Sequence, residues 1–228
     1  QKSEKSAVQP ELGEPNYTAD DAEAALSQFH AIGYEKPCEI VPGVKLTLYN
    51  SGHILGSALI HFEIHDQDDG KTKTLLFTGD LGRKNLPILK NPYQIESVDN
   101  LIIEATYGNR LHEAVTDIEN KLTDIVTTTI GRGGKLIIPA FALERTQEIV
   151  YTLHRLSDQG RIPVELPIIV DSPLSGNLTE VFKAHPEDFD KEAHDEFLHH
   201  GDNPFGFGSL RYTKTVEESK ALNENRLP

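Results

Sequence analysis

The apolar residues of this chain change their period twice, and those changes limit what the chain can fold into. From Val44 the period is two. Val44, Leu46 and Leu48 share one strand face, and Ala58, Ile60, Phe62 and Ile64 are expected to form the inner face of the next strand. "TLLFTGD" and "NLIIEATYG" read as further buried strands, the second ending on Glu104. Beyond about residue 106 helical spacing takes over, broken by short apolar runs. The pattern predicts a helix from about Thr116 to Ile130 with a Thr116/Glu119 capping box, a strand at "KLIIPA" and a helix from about Glu144 to Leu156. A strand at "LPIIVDS" and a helix near Leu174 to Ala184 follow. Strand and helix alternating through short turns imply parallel strands with crossover helices.

Ahead of the first strand, Thr18 is placed to cap a helix running to about Ile32, with Ala22, Ala25, Leu26, Phe29 and Ile32 at helical spacing and Gly33 as its stop. Residues 1–16 are polar and proline-containing and read as a linker or arm. The expected organisation is therefore an arm (1–16), a mostly β region (17–106) and an α/β region (107–228).

Charge and cysteine content narrow the function classes. A net charge of −14 argues against a surface that binds nucleic acid by bulk electrostatics. It leaves a local site open, because a bound divalent cation can neutralise its own acidic ligands. Cys38 is the only cysteine, so no internal disulfide forms, which suits a reducing, cytoplasmic setting. The apolar runs are too short to span a bilayer, and no basic-then-apolar leader opens the sequence as given.

Three side chains stand where strands end or a glycine loop enters one. His53 lies in "SGHILGSA", Asp80 in "FTGDLGR" and Glu104 in "EATYG". Rigid backbone at such places suits metal ligands, and imidazole with carboxylate suits zinc. Each also has a plain structural reading: a loop histidine, a turn aspartate, a salt-bridge glutamate. The glycines around His53 are expected to let the loop come close to a metal. His65, Asp66, Asp68 and Asp69 read as a solvated hairpin tip, and His185, His194, His199 and His200 as a solvated helix face. Arg145 could reach a phosphate from the start of its helix or form a structural ion pair. Asp171 and Ser172 end a parallel strand, where open α/β sheets place ligands, yet a turn before Pro173 explains them equally.

In order, "SGHILGSA", "FTGDLGR", "EATYGNR", "IIPAFALERTQE" and "VDSPL" resemble the metallo-β-lactamase fold nucleases of the β-CASP family. They are most like the bacterial and archaeal branch related to the mRNA 3′-end cleavage endonuclease. The resemblance runs from about Tyr17 onward. It implies an α/β fold class, with part of a metallo-β-lactamase αββα sandwich followed by a Rossmann-like β-CASP domain. It further implies zinc-dependent hydrolysis of RNA, two Zn2+ ions in the full-length protein, and RNA as partner with no membrane; a homodimer is an arrangement it leaves open.

By the same resemblance His53 is a ligand of one zinc and Asp80 the carboxylate that bridges both. Glu104 matches the acidic residue of the first β-CASP motif, which implies that it orients a catalytic histidine, so Glu104 and Asp80 are the expected catalytic residues. From their own positions at helix and strand ends, Arg145 and Ser172 are candidate RNA contacts. The family's "HxHxDH" string and its two C-terminal histidines have no counterpart in these 228 residues. The sequence is therefore expected to be a fragment, weak in zinc binding and in cleavage by itself. A non-catalytic β-CASP scaffold subunit and a metallohydrolase of DNA or a small ester are the alternatives. Ala105 and Glu144 depart from the pattern, which has serine before "TYG" and often glycine before the arginine.

Overall fold

The computed structural model describes residues 15–111, 117–199, 203–208 and 210–224. The chain divides into two compact units, Gln1–Gly33 and Tyr34–Pro228. In the first, helix α1 (Ala19–Leu26) begins with the expected cap. The Thr18 hydroxyl accepts from the Asp21 N–H, and the Asp21 carboxylate accepts from the Thr18 N–H at 2.8 Å. The helix stops at Leu26, well short of Ile32, because none of its residues is buried and a helix this short gains little without tertiary packing.

The second unit opens with a five-stranded sheet in chain order: β1 (Cys38–Val41), β2 (Val44–Asn50), β3 (Ala58–His65), β4 (Thr72–Phe77) and β5 (Asn100–Ile102). The first four run antiparallel and β5 is parallel to β4. The β3–β4 tip is a solvated turn: Asp66 and Asp69 accept the N–H groups of Asp68 and Lys71, and Asp66 pairs with Lys73.

The register reverses the expected inner face of β3. Leu59, opposite Tyr49, is the buried residue of β3. Thr47 and Leu76 are buried on the same face, where Tyr93 lies 4.5 Å from the Tyr49 ring. Ile60 and Phe62 are half-buried and Ile64 is exposed. Alternation identifies two faces, but which one is covered depends on what folds over it.

The α/β part is organised on α3 (Arg145–Asp158). Its Val150 and Tyr151 join Ile88, Phe182, Phe189 and Phe205 in one core cluster, while Leu153 and Leu156 join Val126 and Ile162 in a second. Around it lie α2 (Ile118–Gly131), α4 (Pro173–Ala184) and α5 (Lys191–His199), with a parallel pair β6 (Ile168–Val170) and β7 (Leu210–Tyr212) and the final helix α6 (Val216–Glu224). The Thr116 half of the expected capping box lies outside the described residues. Glu119 instead accepts ion pairs from Arg155 and Arg161 at 3.6 and 3.3 Å.

"KLIIPA" does not form the expected strand. β6 takes β7 as its parallel neighbour, and Leu136, Ile137 and Ile138 stay exposed outside any ladder. His200 lies outside the described residues. His185 pairs with Glu187 and His194 with Asp195 at the surface, as a solvated patch requires.

Phe182 is fully buried, whereas Phe29 is 74% exposed. Phe182→Ala is expected to cost about 3–5 kcal/mol in urea unfolding. Phe29→Ala should change stability by no more than about 0.5 kcal/mol.

Candidate metal centre at the strand ends

His53 and Asp80 reach each other because two glycine turns interlock. Gly52 has φ +64, and a Cβ there would lie 2.8 Å from Pro92. A Cβ on Gly82 would collide with the Gly52 carbonyl. The Gly82 N–H donates to the Ser51 carbonyl at 2.8 Å, and the buried Ser51 hydroxyl donates to the Asp80 carbonyl at 2.9 Å. Gly52 and Gly82 thus bring the loop close to neighbouring backbone. Gly56, at φ +83, faces open space.

Within the loop the Ser57 hydroxyl accepts the N–H groups of His53 and Ile54, both at 3.1 Å. Ser51 and Ser57 escaped the sequence reading, although a serine four residues after a loop histidine is a usable sign of a side-chain-closed turn.

His53 Nε2 lies 3.7 Å from Asp80 Oδ2. Glu104 is beside them but committed elsewhere: its Oε1 accepts the Leu81 N–H at 2.6 Å. That bond, the Thr106 hydroxyl and the nearby His53 hold its carboxyl below the usual range. The Glu104 N–H in turn donates to the Thr78 hydroxyl at 3.2 Å, tying the ends of β4 and β5 together. His53, Asp80 and Glu104 therefore gather at one edge of the sheet.

Donor chemistry at this edge fits zinc. One imidazole and one carboxylate at 3.7 Å are near the ~3.4 Å separation of two donors on a tetrahedral ion with bonds of about 2.0–2.1 Å. Among the described residues, no three His, Cys, Asp or Glu side chains converge as a metal-holding group. The edge offers two ligands of a site that needs four.

Arg145 and Ser172 sit at the starts of two helices. One guanidinium arm of Arg145 pairs with Glu148, whose side chain is nearly buried, while the rest of Arg145 is largely exposed. Ser172 caps α4, its hydroxyl accepting the Ser175 N–H at 3.1 Å. The Asp171 carboxylate accepts the hydroxyls of Thr213 and Ser219, both at 2.9 Å, and serves as a clasp.

Glu144 is the residue that sequence reasoning undervalued. Its φ of 65 and ψ of −62, with the Arg145 N–H donating to the Leu143 carbonyl at 2.9 Å, form a positive-φ γ-turn. Such a turn costs a non-glycine residue about 1–3 kcal/mol. Its buried carboxylate accepts the Leu55 N–H at 3.1 Å. Burial and the neighbouring Glu148 push its carboxyl up to about 8.

The geometry so far defines an α/β protein with an imidazole–carboxylate pair at its strand ends. Residues 146–228 match the Beta-Casp domain family. The chain is 32% identical over 212 residues to ribonuclease TTHA0252 of Thermus thermophilus, covering 93% of this chain and 47% of that protein. It is 32% identical over 207 residues to endoribonuclease YSH1 of Eremothecium gossypii, covering 89% and 26%. It is 36% identical over 200 residues to transcription termination factor FttA of Methanosarcina mazei, covering 86% and 30%. The chain belongs to the β-CASP family of metallo-β-lactamase-fold proteins. It spans about half or less of the length of these relatives.

Two outcomes follow from this geometry. Gly82→Ala should destabilise the unit by more than about 3 kcal/mol in urea unfolding, above the usual cost of overpacking, because backbone must move to admit the Cβ. For Glu144 the raised carboxyl means that the folded state holds a proton the unfolded state releases, between the ordinary 4.5 and about 8. Stability should therefore fall as pH rises through that window, and Glu144→Gln, compared by urea unfolding at pH 5 and pH 8.5, should show a smaller fall.

Proposed function

We propose that the full-length protein is a zinc-dependent hydrolase of RNA phosphodiester bonds, with His53 and Asp80 among its metal ligands. The observation that carries this reading is the meeting of His53, Asp80 and Glu104 at one sheet edge, in a chain whose relatives include named ribonucleases. Neutral imidazole from His53 and the exposed carboxylate of Asp80 would hold the metal. The chemistry zinc supplies in such a site is a lowered pKa for water and an offset to phosphate charge. Glu104, kept ionised by the Leu81 N–H, would fix the turn that presents Asp80 and add negative charge facing His53.

RNA contact is assigned to Arg145 and Ser172. Arg145 keeps free N–H donors beyond its Glu148 anchor, and Ser172 retains its own proton to donate at the N-terminus of a 12-residue helix. The domain boundary near residue 106 and a cytoplasmic location belong to the same reading. No helix among the described residues is long and apolar enough to cross a membrane. Sedimentation of the full-length protein separates monomer from homodimer.

The test is cleavage of matched RNA and DNA strands by full-length protein, with and without chelator and with zinc added back. RNA should be cut, chelator should stop it, and zinc should restore it. His53→Ala and Asp80→Asn should each lower the rate by more than about 100-fold, the upper end of what losing a mere orienting partner costs. Chelator-insensitive cleavage, or equal cleavage of DNA, would overturn the reading.

A further inference from the structure

We propose that Glu144 is a positioning residue: from the strained turn at the start of α3 it holds the His53 loop through the Leu55 N–H, and so sets where His53 stands relative to Asp80. The inference rests on the reading of His53 as a metal ligand and adds a determinant of its geometry. Three observations carry it.

The first is the contact. Glu144 Oε2 accepts the Leu55 N–H at 3.1 Å across 89 residues of sequence. Leu55 is two residues past His53, and its side chain packs on the core cluster that includes Tyr151 and Phe182, as does Leu143. The loop is therefore fastened to the α/β part by a side chain and by a main-chain hydrogen bond next to it.

The second is the strain. Glycine would adopt the positive-φ turn without the steric cost that Glu144 bears. A strained conformation at a non-glycine residue persists only where its surroundings over-determine it, and such sites cluster where geometry matters to function.

The third is where the carboxylate goes. At the residue before a helix, a short capping side chain such as aspartate or serine ordinarily accepts N–H groups of the helix's first turn. Glu144 makes no such bond. It turns away from the start of α3 and satisfies an N–H in a loop that has no strand partner. Arg145 pairs with Glu148 instead, which leaves the Glu144 carboxylate to the loop.

Amide hydrogen exchange and thermal melting of the 228-residue chain test the tie without any need for activity. Glu144→Gly removes the acceptor and relieves the turn. It should keep or raise Tm while speeding exchange at Leu55 by about tenfold or more, the loss expected of one buried hydrogen bond. Glu144→Gln keeps an acceptor oxygen and should preserve the protection. Unchanged exchange at Leu55 in Glu144→Gly overturns the proposal.

The second arm uses full-length protein cleaving RNA. Glu144→Gly should lower kcat with KM little changed, and Glu144→Gln should recover most of the loss. Faster exchange at Leu55 with an unaltered kcat makes the tie merely structural and also overturns the positioning role. If the wild type cleaves no RNA with any divalent metal, the proposed function fails, and the role fails with it only if zinc titration of the full-length protein also finds equal affinity in wild type and Glu144→Gly.

Discussion

No side chain can stand at position 82, because the Gly52 carbonyl occupies the place a Cβ would take. This exclusion of side chains between two turns is the constraint on which the strand-end cluster depends. One turn presents His53 and the other presents Asp80, and they meet backbone to backbone. Ser51 fastens them twice: its carbonyl accepts the Gly82 N–H and its hydroxyl donates to the Asp80 carbonyl. Glu104 joins through the Leu81 N–H, so the three chemistry-bearing side chains are placed by main-chain contacts more than by contact with one another.

The helix α3 does for the α/β part what the glycine turns do for the sheet. It belongs to both core clusters, and several of its buried polar groups are bonded, although Gln147 Oε1 has no partner among the described residues. The Thr146 hydroxyl donates to the Phe141 carbonyl, Gln147 donates to the Thr179 hydroxyl, and Tyr151 donates to Glu196. Burial and that carboxylate push the Tyr151 hydroxyl well above its ordinary range, so it remains a donor at any physiological pH. Arg155 binds α3 to its neighbours through Glu119 and Glu192. A helix held on this many sides is a rigid base, which is why a strained turn can persist at the residue before it.

Much of the architecture was legible in the amino-acid sequence, and the gaps have physical causes. Alternation marked β2 and β3, and the starts of α3 and α4 fall within one residue of their expected places. Ser172 followed by proline is a strong helix-start signal, and the structure uses it so. His53, Asp80 and Glu104 could be singled out because glycine and a strand end are visible in sequence. The covered face of β3 could not, since Leu59 and Ile60 are equally apolar and only the approach of Tyr93 separates them. "KLIIPA" has the composition of a buried strand, yet among the described residues β6 pairs with β7 alone and Leu136, Ile137 and Ile138 are left exposed. Helix α1 ended early because its apolar residues are not buried against any described residue of its own unit.

The glycines of "SGHILGSA" bear on a wider point about reading loops near metal ligands. Of these glycines, Gly52 is required by Pro92 and meets Gly82 of the neighbouring turn, while Gly56 faces open space. The residue whose backbone is strained on behalf of the loop is Glu144, 91 positions beyond His53 and at a site where glycine would have been easier. Position 144 shows how a sequence can conceal such a device. A glutamate before a helix is an ordinary residue, and only its dihedral angles and its partner reveal that it serves another segment. The loop that carries His53 is then defined from two directions: by close backbone packing on the sheet side, and by one hydrogen bond to a side chain from the helix side. The packing fixes where the loop is. The hydrogen bond, together with the Leu55 side chain in the core, restrains how the loop can turn about that contact, and with it the direction in which His53 points.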